Sequence, residues 1–260
     1  MLCSRCGTHA AATGDGLCDG CAAAARRRAE PLAAPAVPGR RWLPALRSPV
    51  GLGRAVVALL GLVIVSDLAA IAASLNVRRV VNGFTGGGSA AYAIDEADQA
   101  DLWMAIASGF GAVAVLATAV VFLVWFSRVR ANAGVFAPDL MTRNSGWAIG
   151  GWFVPLANLW IPRSVAADVW KASRQDPYRG NEGLVSLWWA GFLATWFFDR
   201  AAERQYDKAD SGSEIGTAAD FLAISCLVDI GAAVLAILFV HKLTQMQHAK
   251  ALRGPEPVAV

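Results

Sequence analysis

Two prolines interrupt one of the most apolar, tryptophan-rich stretches of this chain, WAIGGWFVPLANLWIPRSVAADVW from Trp147 to Trp170. Read as a helix, the stretch puts Gly151, Pro155, Asn158 and Pro162 at i, i+4, i+7 and i+11, which is one stripe. Pro155 then removes the donor for the Gly151 carbonyl, and Pro162 removes the one for Asn158. An unpaired carbonyl in hydrocarbon is costly enough that such a stripe must face protein or water. Whatever surrounds the segment has to shield it.

The surroundings are apolar. Of 260 residues, 56% are hydrophobic and 17% charged, against about 45–50% and about 25% in soluble domains. The apolar residues come in blocks, which is the signature of an integral membrane protein. Four blocks stand out: Gly53 to Leu75, Leu102 to Phe126, Gly183 to Phe198, and Ala218 to Val240. The third is short for a span, which needs about 20 residues. Its helix is expected to continue into the charged run DRAAERQYDKA. Ser48-Pro49 reads as a helix entry, and Thr217 with Asp220 as a capping box before the last block.

Charge placement chooses between two threadings. If the tryptophan-proline segment dips in and returns, four spans leave both termini inside, with eighteen Lys and Arg inside and five outside. If it crosses, there are five spans and the division is fourteen to nine. The positive-inside rule favours four. The expected fold is therefore an all-α membrane protein: a bundle of four transmembrane helices plus a proline-broken, membrane-embedded segment, preceded by a small zinc ribbon. The expected location is a plasma membrane, with a cytoplasmic N-terminus and the lipid bilayer as first partner.

The ribbon rests on spacing. Cys3 and Cys6, then Cys18 and Cys21, form two C-x2-C pairs eleven residues apart. Four thiolates so arranged satisfy tetrahedral zinc. The polar, cysteine-rich start does not read as a signal peptide, which puts this segment in a reducing compartment. Expected domains are the ribbon at 1–21, a basic Pro/Ala-rich linker at 22–47, the transmembrane domain at 48–248 and a disordered tail at 249–260. The linker's arginines read as a topology determinant that touches anionic headgroups. A protein partner for the ribbon suits this layout better than nucleic acid, since only Trp42 offers a stacking ring there.

Few residues suggest chemistry. Asp67 and Asp229 lie deep in the first and last spans, and Asp229 is about 17 Å from either end of its block. A carboxyl at that depth faces the bundle interior and reads either as a proton or cation site or as a neutral, hydrogen-bonded group. Asn158 is expected to cap the carbonyls that the prolines release. Seven of the ten tryptophans lie between Trp147 and Trp196 and are expected mostly at the membrane interface. Cys226 reads as a small apolar filler, and His241 and His248 as one solvated or headgroup-facing helix face. No nucleophile, base and orienting group fall together, nor does any phosphate loop or dinucleotide fingerprint, so no enzyme is expected.

The pattern W-x4-W-F-x-P-x-x-N-L-W-x-P-x7-W, carried by Trp147, Trp152, Phe153, Pro155, Asn158, Pro162 and Trp170, resembles a bacterial membrane-protein family known only as a domain of unknown function. The run Leu243-Thr-Gln-Met-Gln247 is similar to that family's ending. The resemblance implies a multi-pass membrane fold, in some members with an N-terminal zinc knuckle, and no catalytic residue. The expected function is a non-enzymatic scaffold or regulatory membrane protein with a cytoplasmic zinc ribbon. The alternative is a small transporter or channel using Asp67, Asp229 and Asn158.

Overall fold

The computed structural model describes residues 1–12, 14–29, 46–85 and 90–253. Most of the expected linker, the glycines at 86–88 and the tail beyond 253 lie outside them. The chain divides into two units, Met1–Ala45 and Leu46–Val260.

The first unit is a pair of turns followed by helix α1, Asp19–Ala29. Leu2 and Ala10 form an isolated antiparallel bridge. Gly7 (φ 65°) and Gly16 (φ 74°) take the left-handed conformation that the turns require.

Among its described residues the second unit contains helices joined by turns and no strand. Its elements are α2 (Val50–Thr85), α3 (Ala90–Phe136), α4 (Trp147–Gly150), α5 (Ile161–Ser173), α6 (Gly183–Tyr206) and α7 (Gly212–Arg253). Helices α2, α3 and α7 are long and apolar enough to cross a membrane. Within the most apolar window of each, no more than 28% is buried in the chain. Leu62, Val65, Phe110, Leu116, Leu227 and Leu238 all point outward. An outer surface of that kind needs lipid around it.

Helix boundaries follow local chemistry. The Ser48 hydroxyl accepts from the Val50 N–H at 3.4 Å, and Pro49 occupies the entry where a missing donor costs nothing. The start of α7 corrects the sequence reading. It begins at Gly212, ahead of Thr217, and its capping box is Ser211 with Glu214: the Glu214 carboxylate accepts from the Ser211 N–H at 2.9 Å and hydroxyl at 2.8 Å. Thr217 instead bonds back to the Ser213 carbonyl. As expected, α6 runs past Phe198 into the charged sequence and ends at Tyr206.

Helix α2 packs along both α3 and α7, and α6 packs along α7. One end of the bundle, here called the proximal end, gathers the start of α2 and the ends of α3, α5 and α7. Asn132 of α3 both accepts from the Arg47 N–H (3.0 Å) and donates to the Arg47 carbonyl (2.8 Å). Gln247 of α7 donates to the Val129 carbonyl (2.8 Å) and the Ser173 hydroxyl (3.0 Å), and accepts from Asn132 (3.1 Å). The Lys250 ammonium closes the carbonyl end of α5 at Ala172 and Arg174. The distal end carries the ion pair of Arg78 with Asp220.

Gln247 is 1% exposed, and a Gln247→Leu change removes three buried hydrogen bonds that join α7 to α3 and α5, although Asn132 keeps Arg47 and Ser173 keeps the Val169 carbonyl. Each such bond contributes about 1 kcal/mol. The expected result is a clear drop in the unfolding midpoint in detergent, and an unchanged midpoint contradicts the role given to this side chain.

The tryptophan-proline segment is not one helix, which corrects the stripe. After α4 the backbone turns, and Leu156 adopts φ 64°, ψ −45°. The Ala157 N–H reaches back to the Pro155 carbonyl at 2.8 Å. This is a γ-turn of the rare positive-φ kind, strained for any residue with a Cβ. A short 3-10 turn, Ala157–Leu159, leads into α5, where Pro162 sits in the first turn and removes no internal bond. Gly151, Pro155, Asn158 and Pro162 share no face: Gly151 and Pro162 are buried, Pro155 and Asn158 exposed. Gly151 is held to glycine by space, because a Cβ there would stand 2.7 Å from Ile161 Cγ2 and 2.8 Å from the Trp147 carbonyl.

Candidate functional site

Between α3 and α6, over α2 and α7, lies a cavity of 730 Å³. Asp67, Asp199, Glu203 and Asp207 line it, and among the described residues no Lys, Arg or His does. Tyr206 and Asp207, at the end of α6, form its distal rim. Two of these carboxyls have a third close by on another helix: Asp199 of α6 is the charged neighbour of both Asp67 of α2 and Asp229 of α7. Ser225 donates to Asp199 Oδ1 at 2.6 Å. Asp67 Oδ2 is buried and has no hydrogen-bond partner. Carboxyls gathered this closely repel one another, and a proton or a cation among them relieves that repulsion.

Sequence reasoning found Asp67 and Asp229 and missed Asp199, which it assigned to a charged extension beyond the lipid. A depth count could have found it. Asp67 lies seventeen residues after Val50 and Asp199 sixteen after Gly183. At 1.5 Å per residue both stand about 25 Å from the proximal starts of their helices.

Toward the proximal end the space between α3 and α6 is filled by rings. Phe122 of α3 meets Trp188 of α6 at 6.0 Å between centroids, and Trp188 stacks on Phe239 of α7 at 4.3 Å with planes 7° apart. Trp152 enters edge-on, 5.7 Å from Phe122 and 5.4 Å from Phe192. Trp170 stacks on Phe239 at 6.0 Å. The Trp125 indole N–H donates to Thr244 at 3.1 Å, and the Trp189 indole N–H to the Leu159 carbonyl at 3.0 Å. The rings thus occupy the proximal side of the bundle between α3 and α6, and Tyr206 and Asp207 lie at the distal side of the cavity.

The seven motif residues divide accordingly. Trp152 and Trp170 belong to these rings, Trp147 packs against the core, and Pro162 is buried. Phe153, Pro155 and Asn158 lie on the exposed turn. Among the described residues Asn158 makes no side-chain hydrogen bond, so it does not cap the released carbonyls, and it lies away from the acidic cavity. Of the seven tryptophans expected mostly at the interface, Trp170, Trp188 and Trp189 are buried within the chain, as is Trp125. Trp160 and Trp196 remain on the surface.

The profile of a family described as a domain of unknown function, DUF4328, matches residues 89–245. That is more than half of the chain, and it takes in α3, the motif segment, α6 and most of α7. The chain belongs to the DUF4328 family. No curated protein and no solved structure matches it. The DUF4328 region supplies Asp199, Asp229 and the packed aromatic rings. Asp67 comes from α2, which lies before it.

The cysteine cluster also lies outside the DUF4328 region. The Sγ atoms of Cys3, Cys6, Cys18 and Cys21 all lie within 4.8 Å of one another. Four ligands at the zinc–sulfur distance of about 2.3 Å stand about 3.8 Å apart in a tetrahedron, and Cys6 and Cys18 are 3.7 Å apart. Backbone bonds fold the turns around them: Cys3 N–H to the His9 carbonyl at 2.8 Å and Ser4 N–H to the Gly16 carbonyl at 2.9 Å. The thiols are not equivalent. The Thr8 hydroxyl and N–H, then His9, hold Cys6 down to about 4. The neighbouring Cys18 thiol, then burial, pushes Cys21 up to about 12. Four thiolates crowded this closely repel one another, and a bound cation is what lets all four ionise together. The donor set fits a tetrahedral thiophilic metal.

Proposed function

We propose that this DUF4328 protein is a non-enzymatic, multi-pass membrane protein that takes a small cation or a proton into its acidic cavity, and that a cytoplasmic zinc ribbon regulates it or recruits a protein partner. The observation that carries this reading is the convergence of Asp67, Asp199 and Asp229, the first two of which line a cavity with no basic group among its described residues. Intramembrane carboxyls are costly and mark ion or proton paths by default.

The proposed threading has four crossings, α2, α3, α6 and α7. The segment from 137 to 182 starts and finishes at the proximal end, since Gln247 ties the end of α3 to the end of α5 and Lys171 pairs with Glu182 at 2.9 Å ahead of α6. At 24 residues α6 is about 36 Å long, enough to cross. Of the Lys and Arg from 46 to 253, twelve lie proximally and five distally, which supports a cytoplasmic proximal end.

A second reading keeps the bundle as a static scaffold for a ribbon that recruits proteins. The packed aromatic rings favour it, because they fill the space between α3 and α6 toward the proximal end. Flux through purified protein in liposomes, read with internal pH- and cation-sensitive dyes, separates the two. Transport gives flux that depends on the three aspartates, and a scaffold gives none.

A further inference from the structure

A further cavity, of 410 Å³, lies between α2 and α7 at the proximal end and shares no lining residue with the acidic one. Arg54 of α2 and His241, Gln245 and His248 of α7 line it, with Val57 and Ala58 at its side. Arg54, His241, Gln245 and His248 are all exposed. Gln245 and His241 bond to each other at 2.8 Å, which couples one turn of α7 to the next.

The two walls carry charge of one sign. No Asp or Glu occurs from 46 to 66 or from 230 to 253, and Arg47, Lys242, Lys250 and Arg253 belong to the same stretches of sequence. The groove also holds the first two turns of α2, whose amino end carries the positive pole of a 36-residue helix. Deeper along the same two helices the outward side chains turn apolar, with Leu62 and Val65 on α2 and Leu238 on α7. An occupant must therefore be anionic at one end and hydrocarbon at the other.

We infer that this groove binds the headgroup of an anionic glycerophospholipid, with its phosphodiester on Arg54 and its glycerol or headgroup hydroxyls on His241, Gln245 and His248. A guanidinium presents a planar fork matched to two phosphate oxygens. Basic pockets between membrane helices on the cytoplasmic side recognise such lipids by that chemistry. The acyl chains then lie along the apolar outer faces of α2 and α7. The inference rests on the apolar outer surface of the bundle and on this groove, and it stands whether or not the acidic cavity carries ions.

The test is lipid retention by the full chain purified in mild detergent. Native mass spectrometry with equimolar phosphatidylglycerol and phosphatidylcholine is expected to show preferential retention of phosphatidylglycerol. The Arg54→Gln, His248→Gln double variant should lose that preference by about tenfold, as befits the loss of a charge-assisted contact. Arg179→Gln, an exposed proximal arginine outside the groove, should keep it. Glycerol 3-phosphate at the same concentration should neither bind nor displace the lipid. Undiminished preference in the double variant, equal loss in Arg179→Gln, or equal binding of glycerol 3-phosphate would each overturn the assignment to a membrane lipid at this groove.

Discussion

Asp199→Asn is expected to reduce cation or proton flux through the reconstituted protein by at least about tenfold, with the fold intact. Asp199 is a charged neighbour of both other carboxyls, so its loss removes one member of a mutually interacting group of three. Asparagine is nearly isosteric and can still accept from Ser225, whose bond to Asp199 is 2.6 Å. Stability should therefore hold or improve, because a crowded negative charge is gone. Asp67→Asn and Asp229→Asn should each cause a comparable loss. Pairs of these changes should cost little more than single ones, since groups acting as one unit are not additive. Asp220→Asn, at the distal ion pair with Arg78, serves as the control and should leave flux near wild type. Wild-type flux in Asp199→Asn, or losses that simply add, contradicts a shared site.

The second large effect is on metal content. Purified protein is expected to hold one zinc per chain by elemental analysis, and Cys18→Ser to hold none. Cys18 is buried and stands 3.7 Å from Cys6, so a hydroxyl there removes a central ligand. Residues 1–21 hold little apolar material with which to fold unaided, and in small units of this kind metal binding and folding are one equilibrium. Loss of metal should therefore expose the segment to protease, with cleavage first at the glycine turns around Gly7 and Gly16. Chelation of the wild-type protein should reproduce the cleavage, and added zinc should reverse it. Retention of a full equivalent of metal in Cys18→Ser contradicts the four-cysteine site.

Much of the architecture was legible because each signal had a single physical source. Long apolar blocks become long apolar helices whatever their partners, and two C-x2-C pairs close on one point because tight turns leave little choice. The errors have two causes, local backbone geometry and tertiary placement. The stripe of Gly151, Pro155, Asn158 and Pro162 assumed helix continuity, and the γ-turn at Leu156 broke it. A leucine at positive φ leaves no mark in sequence, where a glycine would have. The tryptophans were assigned mostly to the interface by type, yet Trp188 is buried and Trp152 packs against it. The start of α7 was misplaced because two capping patterns lie close together, and Ser211 with Glu214 comes first. Asp199 went unrecognised because a charged residue at the end of an apolar run reads as exposed. Only the pairing of α6 with α7 brings it against Asp229. The ending Leu243 to Gln247, noted only as a likeness, proved structural: Thr244 receives the Trp125 indole, and Gln247 joins three helices.

Sidedness tests the account most directly. In a Cys226→Ala background, Tyr206→Cys and Ser108→Cys line the acidic cavity, while Asn158→Cys lies on the exposed turn of the broken segment. Intact cells treated with a membrane-impermeant maleimide should label positions 206 and 108, and position 158 only after permeabilisation. Labelling of position 158 from outside, or of positions 206 and 108 only from within, would contradict a cavity that opens on the face opposite the returning segment.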